Sequence, residues 1–485
     1  MPHNTPLKFI IIGASTAGLV SAIALRASGH EVLVIEKDEE LGGSPSIPTG
    51  GVRLPPNGCK ILFDWGLEAQ IRAHAIVGEG FTVYKYEGTD SGRDYLGTNR
   101  WDPELLRESR GDFLQIRHRD LIRILYDTAL GKPLKNDSEP QLNGHTPSQP
   151  ITFELGAEVV DADFDTCSVT LKSGVVHHGD AIIGADGASG FVRRRLLAED
   201  VAPLLVSGTD DERRGLALYA AIIPKSAAVV DEELSKLYEY PQRNMVTFSM
   251  GSNRGAQAFL AGEDEDIVFW VYTPDADEDG SWTQVAEKNI TDVVGPCDPL
   301  IRRLAALAGP ATCVQIKNYY ELKSWVSKSG NAVVLGEAAH PFPVVSLHTY
   351  SVAIEDGAFI GKLFSHSRKP ARVREFMSAF EETRKARCLH IDHSEKQYID
   401  VMALPDGPMQ ATRDAAMRAN EAAGRNVMDA ADVDLQQMWD DMRMIFGYDP
   451  ADDADDWWMS WGRLRDAPSA SKEGKLTEDI PNESL

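Results

Sequence analysis

The sequence predicts an α/β protein: a Rossmann-like dinucleotide-binding domain, an inserted β-sheet domain and a helical C-terminal region. Three observations lead there. A βαβ unit with a glycine turn opens the chain, short alternating strands fill its middle, and two long helical patterns, roughly 372–402 and 409–446, follow.

The opening unit is the most informative. Phe9 to Ile12 are four apolar residues in a row, as in a strand buried on both faces. Gly13, Ser15, Ala17 and Gly18 make the turn, and Leu19, Ile23 and Leu25 start a helix that packs back on the sheet. Gly13 allows the tight bend, and Gly18 lets helix and strand approach closely. Ser15 replaces the middle glycine of G-x-G-x-x-G with another small residue. Val32 to Ile35 form a second buried strand that ends at Glu36, followed by Lys37. Such a helix N-terminus offers free N–H groups to a pyrophosphate, and Glu36 accepts both ribose hydroxyls, which a 2′-phosphate would block. The same unit serves NAD and FAD, so the rest of the chain must decide.

The remaining elements follow in order. Leu41 to Pro56 is a glycine- and proline-rich loop, and Asn57 to Leu67 reads as a short helix. Leu114 to Asp120 leads into a helix through Leu130, and polar residues 131–150 read as an exposed, mobile insert. Ile151 to Ile183 alternate as strands and end in Gly184-Ala-Asp186-Gly187. Strands are expected at 215–224, 245–250, 256–261 and 267–273, and again at Asn331 to Leu335. The acidic run 449–456 reads as a solvated loop, Trp457, Trp458 and Trp461 as a helix docking site in preference to a lid, and the chain after about 467 as disordered. The expected domains are 1–200 with 315–370 for the dinucleotide, 201–314 for the inserted sheet, 371–466 for the helices and 467–485 for the tail.

Bulk properties narrow the function. A chain of 485 residues with 43% hydrophobic and 25% charged residues suits two or three packed domains. A net charge of −25 argues against nucleic acid and against anionic membrane surfaces. Five scattered cysteines without metal spacing indicate a reducing, cytoplasmic setting and neither a disulfide framework nor a metal site. The apolar opening is broken by Gly13 to Gly18, unlike a signal peptide, and no stretch approaches the roughly 20 apolar residues of a membrane span. The partners expected are small molecules, and the chain is expected as a monomer or homodimer.

Three separated motifs together resemble the single-component FAD-dependent aromatic-ring monooxygenases, the salicylate hydroxylase and p-hydroxybenzoate hydroxylase group. They are the opening unit, Gly184-Ala-Asp186-Gly187-Ala-Ser189-Gly-Phe-Val192-Arg193, and Gly336-Glu337-Ala-Ala-His340-Pro341 with Ala353-Ile-Glu355-Asp356-Gly357. Gly51 to Asn57 and His118 to Leu121 fit the same group. The resemblance implies an FAD-binding domain with Asp186 and Gly187 near the pyrophosphate, Glu337 on the ribityl side, and Arg119 on phosphate or ribityl groups. It also implies that Pro343, Thr349 and Tyr350 border the flavin. Two departures stand out. Glu337 replaces the family's usual Asp, and Pro343 to Ser351 carries Thr349 where a glycine is usual, which demands a conventional backbone there. The long helical C-terminus looks more like fungal secondary-metabolism members.

The resemblance implies insertion of one atom of O2 into a phenolic or hydroxybenzoate-like ring through a flavin C4a-hydroperoxide, with NAD(P)H as a transient co-substrate. A base that makes the phenolate would activate the ring, and His348, Tyr350 and Tyr219 are the candidates. Arg53 and Tyr219 are candidate substrate contacts, Arg53 as an anchor for an acidic group. Asp186 can instead cap the next helix, His340 can shape its loop, and one of Arg193, Arg194 and Arg195 can meet a phosphate. Three other readings stay open: epoxidation or Baeyer–Villiger insertion on a secondary-metabolite ring, a flavin-binding protein without turnover, and an NAD-dependent dehydrogenase using only the first unit.

Overall fold

The computed structural model describes residues 5–43, 50–89, 92–131, 150–200, 211–274, 280–344, 346–429 and 435–463. Nearly all of the expected insert and the whole tail at 467–485 lie outside them.

The apolar runs assemble as one parallel sheet in the order Ala332–Val334, Ala181–Gly184, Lys8–Ile12, Glu31–Ile35 and Ile151–Glu154. Phe9, Ile10 and Ile11 have no exposed surface, as a strand covered on both faces requires. Helix Thr16–Ala27 packs against helix Thr349–Ser365 so closely that a Cβ at Gly357 would come within 2.7 Å of the Ser21 nitrogen. That contact docks the Asp356-Gly357 motif on the first helix.

A seven-stranded sheet runs in the order Thr312–Tyr319, Asp211–Ile223, Asp266–Pro274, Arg254–Ala261, Met245–Gly251, Gly80–Lys85 and Tyr95–Arg100. It therefore draws on strands outside 201–314. Gly80–Lys85 joins in parallel with Met245–Gly251, a long-range pairing that local sequence does not announce. The sheet's two faces bury different clusters. Ala217, Tyr219, Ala221, Phe269 and Val271 pack against helix Pro299–Leu307, whereas Leu218, Ala220, Phe248 and Trp270 face the C-terminal helices. A small antiparallel sheet of Gly51–Leu54, Phe113–Arg117 and Ala75–Gly78 bridges the large units and sets Arg53 directly opposite Gln115.

The C-terminal region consists of helices Val373–Met402, Pro408–Ala422 and Leu435–Phe446, and then Pro450–Trp457. The acidic run is thus helical where a loop was expected. Asp449 caps that helix, accepting the Ala451 N–H at 3.0 Å, Pro450 occupies its first turn, and Asp452 and Asp453 lie near the favourable positive end. Trp457 and Trp458 pack against the parallel-sheet core, while Trp461 is exposed. Among the described residues, no helix is long and apolar enough to cross a membrane.

Candidate active site

The glycine turn opens on a cavity of about 390 Å³. Gly13, Ser15, Ala17, Glu36 and Lys37 line one side, and Asp186, Gly187, Glu337, Thr349 and Tyr350 complete it. Gly13 has φ +104°, and a Cβ there would collide with the Ala185 carbonyl, so only glycine fits. Gly18 stands behind the turn, where a Cβ would strike the Gly13 carbonyl oxygen. Glu36 is held in place by two backbone donors, Ala14 N–H at 2.7 Å and Asp38 N–H at 3.0 Å. Its carboxylate has capacity left for ribose hydroxyls.

Asp186 caps a helix with one oxygen and turns the other to the cavity. Its Oδ2 accepts the Val192 N–H at 2.9 Å and caps the following helix. Its Oδ1 is buried without a partner among the described residues, on a side chain that lines the cavity. Burial pushes its carboxyl up to about 6. Thr349 Oγ1 is likewise buried and unpartnered among them. Thr349 is the first residue of its helix and avoids positive φ, so this chain meets the missing glycine with ordinary helical backbone. Glu337 lines the cavity, and burial raises its pKa.

The basic run divides cleanly. Arg193 is buried and donates to the Ala338 and Ala339 carbonyls, Arg195 pairs with Asp161 at 3.6 Å, and Arg194 alone lines the cavity. Arg119 and Pro343 are not among the lining residues. Arg119 is exposed beside Gly42, and the Pro343 carbonyl accepts the Ser346 hydroxyl at 2.6 Å, shaping the loop ahead of the helix.

A second cavity, about 250 Å³ and mostly apolar, lies across the Leu347–Tyr350 segment. Leu347 and His348 line it, whereas Thr349 and Tyr350 line the first. Its walls are Phe81, Trp101, Phe113, Phe248 and Phe446, with Arg53, Gln115, Glu395 and Tyr398 as polar groups. Arg53 lies 5.5 Å from the Phe248 ring centroid and 5.6 Å from that of Trp270, both within cation–π range. His348 stacks on Phe446 at 5.5 Å. Burial and the nearby Arg387 hold its imidazole at about 3, so it is neutral at physiological pH.

Tyr219 is a correction. It is fully buried on the opposite face of the seven-stranded sheet, with Ala217 and Ala221, and lines neither cavity. Strand alternation decides this: Leu218 and Ala220 point towards the cavity side and Tyr219 away from it. Tyr350 is brought to the first cavity and His348 to the second, so the two candidate bases stand on opposite sides of one partition. Burial raises the Tyr350 phenol well above its ordinary value. Glu395 went unnoticed in the sequence. It sits on helix Val373–Met402 in the buried series Cys388, Ile391, Glu395, Ile399 and Met402, and a carboxylate on that apolar stripe was the available signal.

A buried ion network fixes the partition. Glu355 accepts from Asn57 at 2.7 Å, Arg384 at 2.7 Å and Arg387 at 2.7 and 2.8 Å. Asp356 accepts from Arg384 at 2.9 Å and the Gly336 N–H at 2.9 Å, and it pairs with His340 at 2.6 Å. His340 therefore shapes the Gly336–His340 turn. His340, Asp356 and Cys388 bring potential ligand atoms within 4.8 Å of one another, but Arg384 already neutralises Asp356 there, which disfavours a cation. Arg387 also donates to the Met444 and Ile445 carbonyls at 3.0 and 2.9 Å, tying Phe446 over the second cavity.

Comparison with known proteins agrees with this geometry. The FAD binding domain family matches residues 7–212. The chain is 24% identical over 448 residues to the FAD-dependent monooxygenase OpS4 of Beauveria bassiana (strain ARSEF 2860), covering 92% of this chain and 95% of that protein. It is 25% identical over 420 residues to hispidin-3-hydroxylase of Neonothopanus nambi, covering 82% and 90%. The crystal structure of CtdE in complex with FAD and a substrate superposes with a TM-score of 0.70 at 16% identity, covering 95% of this chain and all of that one. The Asp186 Oδ1 without a partner among the described residues, the Gly13 turn and the Glu36 carboxylate suit FAD. Over most of its length the chain is similar to FAD-dependent monooxygenases.

Proposed function

We propose that the enzyme hydroxylates a phenolic or related aromatic substrate held in the 250 Å³ cavity, using O2 and electrons from NAD(P)H. One observation carries this reading: residues 347–350 are shared by a dinucleotide cavity and an aromatic-walled cavity, so a ring in the second abuts the wall of the first. When bound, FAD supplies the chemistry that activates O2. Gly13, Ser15 and Ala17 receive its pyrophosphate and Glu36 its ribose, while Asp186, Glu337 and Thr349 meet the remaining polar groups. The N–H groups at the start of helix Thr349–Ser365 favour negative charge near them. Phe81, Trp101, Phe113 and Phe446 orient a flat ring and keep water from it. The neutral His348 can accept a hydrogen bond from such a ring.

A relative named 3-amino-4-hydroxybenzoate 2-monooxygenase, from Streptomyces cremeus, supports a hydroxylated aromatic substrate. All five cysteines are free and buried, which suits a cytoplasmic enzyme. The test is NAD(P)H oxidation by the FAD-loaded protein against a panel of phenols and hydroxybenzoates. Substrate-stimulated oxidation with a hydroxylated product is expected. Bound FAD with no stimulated oxidation by any of them would reject the reading.

A further inference from the structure

We propose that Glu395 binds and deprotonates a ring hydroxyl, so that the second cavity selects hydroxyarenes by their O–H donors. This rests on the aromatic-hydroxylase reading above and names its substrate class and base. Glu395 is 6% exposed and lines a mostly apolar cavity. Its place is fixed, because the backbone N–H of His348 donates to its Oε1 at 2.9 Å. Gln115, 3% exposed, lines the same cavity, and its Oε1 has no partner among the described residues. A carboxylate and an amide oxygen in this mostly apolar slot both call for donors, which ring hydroxyls supply, whereas a ring carboxylate would be left to Arg53.

The charged and titratable neighbours of Glu395 are Arg53 from the small sheet, Tyr272 from the large one, His348 from the partition, and Tyr398 one turn along its own helix. Burial lifts Glu395 to about 7, prevailing over the His348 N–H and Arg53, which both favour the ionised carboxylate. That lies within reach of proton exchange with a phenol near neutral pH. In the step itself the substrate O–H bond breaks and the proton moves to a Glu395 carboxylate oxygen. The electron pair stays on the substrate oxygen and raises electron density at the ortho and para carbons. Nothing is oxidised or reduced in this step, and the proton returns to that oxygen once the ring has been hydroxylated.

The experiment measures binding of 2-naphthol and of its methyl ether to the FAD-loaded protein without NAD(P)H, from about pH 5.5 to about pH 8.5. Neutral naphthol should bind about tenfold more tightly as Glu395 ionises, the scale of a charge-assisted hydrogen bond, while the ether stays flat. Glu395→Gln should lose the pH response and keep its flavin spectrum, and Glu395→Asp should keep the response with a shifted midpoint. A pH response retained in Glu395→Gln, or no preference for naphthol over the ether at any pH, overturns the proposal. If Glu395→Gln fails to hold FAD, Glu395→Asp decides, and an unchanged midpoint counts against the proposal. Failure of the hydroxylase reading is distinguishable, because it appears as absent phenol-stimulated NAD(P)H oxidation and leaves these binding curves intact.

Discussion

The backbone N–H of His348 donates to Glu395 Oε1 at 2.9 Å, joining helix Val373–Met402 to the segment that separates the two cavities. One residue further on, Thr349 begins the helix whose start faces the dinucleotide cavity. The C-terminal helices are therefore part of the second cavity and hold the partition between the two cavities.

Phe446 closes that cavity, packing on His348 at 5.5 Å and on Phe113 at 5.1 Å, with Trp101 stacked behind Phe113 at 3.9 Å. Truncation in Phe446→Ala opens it to water. We expect KM to rise severalfold and part of the NAD(P)H consumed to appear as hydrogen peroxide, measured as the peroxide-to-NAD(P)H ratio.

Glu36→Ala removes the carboxylate that two backbone N–H groups orient towards the ribose position. FAD affinity, followed by flavin fluorescence, should fall about tenfold to a hundredfold, the loss of one or two charge-assisted hydrogen bonds. Unchanged affinity would displace Glu36 from the site.

Tyr219→Phe should leave turnover within about twofold and cost about 1 kcal/mol of stability, because the phenol lies in the cluster behind the sheet. Loss of activity without loss of stability would return Tyr219 to the site.

Arg384→Leu strips one partner from both Glu355 and Asp356 in a fully buried setting. Leaving two buried carboxylates short of charge should cost about 3–5 kcal/mol, read by denaturant titration. The same network sets acid stability. Burial opposes the charge of Glu355, but Arg387 and Arg384 win and hold its carboxyl at about 2, below the ordinary 4.5. Its folded pKa is depressed, so this contribution is fully present above about 4.5 and is lost as pH falls towards about 2. A denaturation midpoint flat across that window would contradict it.

How much of this was legible in the sequence depended on whether the signal was local. The Gly13 turn and Glu36 lie within one βαβ unit and Asp186-Gly187 is a short contiguous motif of its own, so each could be read locally, and the structure gathers them around one cavity. The parity of Tyr219 was not legible, since alternation gives two faces without saying which one meets the site. Arg53 and Gln115 face each other only through a strand pairing some sixty residues apart in sequence. The helix at 450–457 was hidden by reading its acids as solvation, although Asp449-Pro450 is a helix start signal. Glu395 was visible in principle as the one acid on an apolar helical stripe.

The most direct test of a FAD-dependent monooxygenase with an aromatic cavity is turnover under ¹⁸O2, with NAD(P)H and a phenol that stimulates its oxidation, followed by mass spectrometry of the product. One ¹⁸O atom per hydroxylated ring is predicted. Product oxygen derived from water, or NAD(P)H oxidation that yields only peroxide with every phenol, would contradict the account.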